Sequence, residues 1–124
     1  TTPDAKIAVT WAGAIPYFSG RYVVDILGKT DKVIAHMEMR KPKADDNKWT
    51  FFLPGHLKYD YRHSIGELKP DAVLQFWGDL DEANEYMAGK YIKLMAGDKF
   101  IFLRTDSDKV LWSKFMQNQQ APPQ

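Results

Sequence analysis

The sequence predicts an α/β fold in which a small, three-layer-like sheet has a parallel βαβαβ core and an antiparallel C-terminal meander. Three observations lead there. Apolar, β-branched runs recur at residues 7–11, 22–27 and 72–77, and each is followed by a glycine where the backbone must turn. Stretches with helical spacing lie between them. After Gly89 the pattern changes to short mixed runs at residues 91–95, 99–104 and 109–114, separated by Gly- and Asp-rich turns. Right-handed crossovers place the first strand between the second and third, so their carboxyl ends converge on one edge, where open α/β sheets hold ligands.

Taken in order, residues 1–6 read as a polar lead-in. Ile7-Ala8-Val9-Thr10-Trp11 is the first strand, and Ala14-Ile15-Pro16-Tyr17-Phe18-Ser19 has room for a turn or a turn and a half of helix. After the second strand, Thr30 and Asp31 precede Val33, Ile34 and Met37, the spacing of a short helix with a polar cap. Residues 40–48 form a charged, solvated loop, and Trp49-Thr50-Phe51-Phe52-Leu53 is a candidate short strand stopped by Pro54-Gly55. Leu57, Tyr61, Ile65 and Leu68 share one helical face, so residues 56–68 are expected to form a helix ended by Lys69-Pro70-Asp71. A further helix is expected over residues 79–87, with Asp81 and Glu82 in its favourable first turn. The globular domain is read as residues 7–116, followed by a disordered tail at 117–124.

At 124 residues the chain is one domain with enough apolar mass for a core, including seven Phe and four Trp. A net charge of +1 argues against a nucleic-acid binder. The absence of cysteine excludes a disulfide framework and thiolate metal sites while leaving the compartment undecided. No secretory signal is read, and the longest apolar run falls well short of the ~20 residues that span a bilayer. The expectation is a soluble chain, consistent with a piece of something larger.

His36, His56 and His63 match no metal-ligand spacing, and the nucleophile-elbow, phosphate-loop and dinucleotide-binding motifs are missing, so no metal, cofactor or catalytic residue is assigned. The candidate substrate-binding residues are Trp11, Tyr17, Asp25, His56, Asp60 and Trp77. Asp25 stands in an apolar strand, where a carboxylate needs a partner. That partner is expected from nearby backbone or from Tyr17, and a structural role outweighs a site role. Gly55-His56 with Lys58 and Asp60 reads as a turn before a helix start, either a plain cap or an anion site. Trp11 and Trp77 end strands one and three on the same edge, where aromatics beside carboxylates suit sugar rings, although core packing is the default for such residues.

The run from Ala12-Gly13-Ala14 through Pro16-Tyr17-Phe18-Ser19-Gly20-Arg21, then Val23-Val24-Asp25-Ile26-Leu27-Gly28, Asp31 and Ile34-Ala35, resembles a known domain. It is similar to the extracytoplasmic C-terminal domain of bacterial polytopic membrane glycosyltransferases of the GT-C type, the protein mannosyltransferase-like enzymes that use polyprenyl-phosphate sugars. Pro54-Gly55-His56 with Lys58 and Asp60, and Lys69-Pro70-Asp71-Ala72-Val73-Leu74, resemble its later elements in the same order, so the likeness covers residues 5–104. The resemblance implies a soluble accessory domain on the extracytoplasmic (periplasmic) face of the cell membrane. Its partners would be the transmembrane portion of the parent enzyme and a glycan or lipid-linked sugar. The catalytic acid would lie in that membrane portion, outside this chain. The alternative is a stand-alone extracytoplasmic carbohydrate-binding module using Trp11, Tyr17 and Trp77. A small hydrolase using Asp25 and His56 is the weakest reading.

Overall fold

The computed structural model describes residues 1–41 and 55–114. Its strands are β1 (Ile7–Val9), β2 (Val23–Asp25), β3 (Ala72–Val73), β4 (Tyr91–Ala96) and β5 (Lys99–Arg104). They form one mixed sheet in the order β2-β1-β3-β5-β4. β1 lies between β2 and β3 and is parallel to both, with Ala8 in register with Val24 and with Val73. β5 joins antiparallel to β3 and to β4. The fold is therefore α/β, and the first strand does lie between the second and third.

Because successive strand side chains alternate in direction, each strand feeds two cores. On one face Ala8, Val24 and Val73 pack with Ile26, Tyr61, Ile65, Ala83 and Met87. Tyr61 and Ile65 come from around a π-helical segment, Arg62–Glu67, and Ala83 and Met87 from α3, Leu80–Met87. On the other face Ile7, Ala72 and Leu103 pack with Val110, flanked by half-buried Ile15 and Trp112. Ile15 belongs to α1, Ala14–Ser19. The remaining helix, α2 (Lys32–His36), is capped by Asp31, whose carboxylate accepts from the amides of Val33 and Ile34. Asp79 caps α3 in the same way, accepting from Asp81 and Glu82.

Several expectations are corrected. Residues 109–114 add no strand; Val110 instead plugs the second core, and the chain there folds through turns into a short helical end. The meander is thus the β4–β5 hairpin alone, turned at Gly97-Asp98, where Gly97 takes φ 63° at the first turn position. The expected long helix over 56–68 begins only at Tyr61, and its main turn is π-helical, with the Leu68 N–H reaching His63 O. Gly55-His56 is consequently not a helix start. β1 and β3 are shorter than expected, ending before Trp11 and Trp77. Arg40, read as part of a solvated loop, is locked: its guanidinium pairs with both Glu82 oxygens at 2.6 Å and lies 3.9 Å over the Tyr59 ring. The lead-in is also fastened, Thr2 N–H donating to Lys109 O. The candidate strand at 49–53 and the tail at 117–124 lie outside the described residues.

Candidate functional site

The carboxyl edge of the parallel strands is built from loops that leave β1, β2 and β3. As β1 ends, the amides of Thr10 and Trp11 lose a strand partner. Both donate instead to the Gln75 side-chain oxygen at 3.0 Å. One amide side chain thereby finishes the ladder and sets the angle at which Trp11 leaves the sheet. Trp77, at the end of the segment following β3, is fixed from behind. Its N–H donates to the Tyr61 hydroxyl at 3.0 Å, and that hydroxyl donates to Trp77 O at 2.5 Å. Burial pushes the Tyr61 hydroxyl up to about 12, so it keeps the proton it donates.

His56 packs against both indoles. Its ring centroid is 5.4 Å from that of Trp11 and 4.9 Å from that of Trp77, and the two indoles meet edge to face at 6.3 Å. His56 is buried at 7% exposure, whereas Trp11 keeps 52% of its surface open. The cluster is therefore a supported ledge, with one indole outward and its base inside the fold.

The opposing wall is the β2–α2 loop. Asp25, 2% exposed, directs its oxygens into it, accepting from Leu27 N at 3.1 Å and from Thr30 N at 2.8 Å and Oγ1 at 3.2 Å. Its partner is thus the loop backbone, not Tyr17. The loop can turn so tightly because Gly28 sits at φ 67°, where a Cβ would lie 2.3 Å from Ile34 Cγ2. So held, the loop presents Lys29, whose ammonium is 5.3 Å from the Trp11 ring centroid. Trp11, Ala12, Gly13, Ala14, Lys29 and Thr30 line an open pocket of about 350 Å³.

Behind the loop stands a second, polar junction. His63 contacts Asp31 through Nε2 at 3.2 Å and Glu67 through Nδ1 at 3.0 Å. Burial works against the charged ring, but these two hydrogen bonds outweigh it and raise the His63 pKa. Asp31 is buried in part, yet the Ile34 amide and His63 hold its carboxyl below the usual range.

Of the six candidate residues, the structure gathers Trp11, His56 and Trp77, and places Asp25 behind the adjoining wall. Asp60 turns instead to the amides of Arg62 and His63, at 2.8 and 3.3 Å, as a helix cap. Tyr17 projects from α1 and contacts Phe18. Sequence reasoning missed Gln75, Lys29 and the His63 junction. A glutamine inside the apolar run Leu74-Gln75-Phe76-Trp77 was the available signal for the first.

A family model described as a domain of unknown function, DUF8728, matches residues 1–118. The chain belongs to that family. The matched span takes in β1 to β5, the ledge, the β2–α2 loop and the His63 junction. No match was found among curated proteins or among solved structures. Among the described residues, no three His, Asp or Glu side chains are grouped to hold a metal ion, and no helix is long and apolar enough to cross a membrane.

Proposed function

We propose that this domain is the extracytoplasmic, non-catalytic part of a membrane glycosyltransferase that uses a polyprenyl-phosphate sugar, and that it contacts a sugar ring on the Trp11 ledge. The observation that carries the reading is the half-open Trp11 indole, braced by His56 and Trp77 and facing a pocket rimmed by Lys29 and Thr30. An exposed aromatic face takes the apolar face of a pyranose, and the ammonium and hydroxyl beside it suit ring hydroxyls or an attached phosphate. The motifs that resemble the GT-C domain also contribute to this edge, through Ala12-Gly13-Ala14, Asp25, Gly28, Asp31 and His56. Asp25 and Asp60 engage backbone amides, which fits a domain that leaves the acid chemistry to another part of the enzyme.

The test is a titration of neutral oligosaccharides and of a short-chain polyprenyl-phosphate sugar, followed by Trp fluorescence. Saturable quenching is expected in the parent chain and a loss of affinity of about tenfold or more in Trp11→Ala. No response to any of these ligands would overturn the ledge reading. A stand-alone carbohydrate-binding module would use the same ledge. The reading frame separates the two: hydrophobic spans encoded upstream of Thr1 support the membrane enzyme, and an isolated frame supports the module.

A further inference from the structure

The most exposed apolar side chains of the described fold are not on the ledge but beside it, on α1. This helix buries none of its residues, and Tyr17 and Phe18 are 81% and 84% exposed. The two rings meet edge to face at 5.1 Å, so they project as one unit. Trp11 before them and Tyr22 after them are each more than half exposed. Charge is distributed to match. Residues 5–24 contain no Asp or Glu, although the chain has 16. The cations along the patch are Arg21, which is anchored through its guanidinium to the carbonyl oxygens of Thr1 and Thr2, and Lys29, over the Trp11 ring.

We propose that this face docks on a lipid surface, with Tyr17 and Phe18 entering the boundary between headgroups and acyl chains and Arg21 and Lys29 meeting anionic headgroups. The shape favours lipid over a protein groove. A helix of six residues that buries none of its side chains holds out Phe18, an all-apolar ring, against Tyr17, a ring with a hydroxyl at its tip. That is the arrangement aromatic side chains adopt where one end is apolar and the other wet. A run of twenty residues without Asp or Glu, holding Arg21 and followed by Lys29, suits anionic lipid because it brings no repelling charge of its own. The inference rests on reading the domain as part of a membrane enzyme, and adds which element meets the bilayer: α1, the crossover that leads away from the Trp11 pocket.

The experiment is co-sedimentation of the 124-residue chain with phosphatidylcholine vesicles, with and without phosphatidylglycerol, alongside the Tyr17→Ser/Phe18→Ser variant. The parent chain should partition onto vesicles, more strongly when phosphatidylglycerol is present and less at high salt. The double variant should lose about tenfold or more of that partitioning, since it removes most of the insertable apolar area. Its thermal unfolding should be unchanged, because neither side chain is buried. A parent chain that stays in solution with both vesicle types overturns the proposal, as does a folded double variant that binds like the parent. Capture by a detergent-solubilised membrane protein through these residues, without vesicle binding, also overturns it and assigns the face to a protein partner. Trp77→Ala separates the two claims: it should weaken the saccharide response and leave vesicle binding intact. Vesicle binding without any saccharide response would remove the ledge reading alone.

Discussion

His63 couples two parts of the molecule through a single ring. Its nitrogens face Asp31, which caps α2, and Glu67, on its own π-helical turn; Arg62 stands 3.9 Å from Glu67 and 4.0 Å from Asp60. With both nitrogens protonated, the ring donates to a carboxylate on each side. Its pKa is raised above the ordinary 6.5, so its contribution to stability is complete below that value and is lost as pH rises through the higher, folded one. Asp31 works in the opposite sense: its carboxyl is lowered from 3.8, so its contribution is present above that value and is lost as pH falls through the lower, folded one. Urea midpoints measured across neutral pH should therefore fall as pH rises in the parent chain and vary less in His63→Asn. A flat profile in the parent, or an equal slope in the variant, contradicts this account of the junction. Sequence alone offered His63 only as one of three scattered histidines. The sequence separation of 32 between Asp31 and His63 is closed by the fold, which no local spacing encodes.

At the scale of elements, the β2–α2 loop decides the shape of the pocket. It was partly legible, because Gly28 after an apolar run marks a turn, and Thr30-Asp31 before an apolar spacing marks a helix start. Asp25 was legible as a buried carboxylate in need of partners, and the partners proved to be amides of its own loop. What periodicity could not supply was the choice between α- and π-helical turns around Tyr61, because one inserted residue per turn leaves the apolar spacing nearly intact. The false third meander strand has a similar cause. Val110 and Trp112 alternate like strand residues, but their burial comes from covering the sheet face rather than from extending its edge. Gly28→Ala tests the loop. Its added methyl meets Ile34 at a backbone conformation that side chains rarely adopt, and the combined strain and crowding should cost about 2–4 kcal/mol. A urea midpoint equal to that of the parent would show that the loop relaxes freely.

On the scale of the whole molecule, the mixed sheet separates support from exposure. Its parallel half delivers three loops to one edge, where Trp11, His56, Trp77, Lys29 and Thr30 gather, while the β4–β5 hairpin completes the sheet on the far side. The place of β1 between β2 and β3 followed from connection rules applied to sequence, and with it the meeting of their ends. The ledge itself followed less directly, since two tryptophans next to apolar runs read equally well as core. Only the exposure of Trp11 separates the readings. The central claim is that the ledge holds a sugar, and the four indole N–H groups of Trp11, Trp49, Trp77 and Trp112 offer its most direct measurement. In a two-dimensional nitrogen–proton spectrum, adding an oligosaccharide or a short-chain polyprenyl-phosphate sugar should shift the Trp11 and Trp77 indole peaks together and saturably. The Trp112 peak, from the core formed by Ile7, Ala72, Leu103 and Val110, should stay in place. Stationary Trp11 and Trp77 peaks at saturating ligand, or a shift confined to Trp112, would contradict the claim.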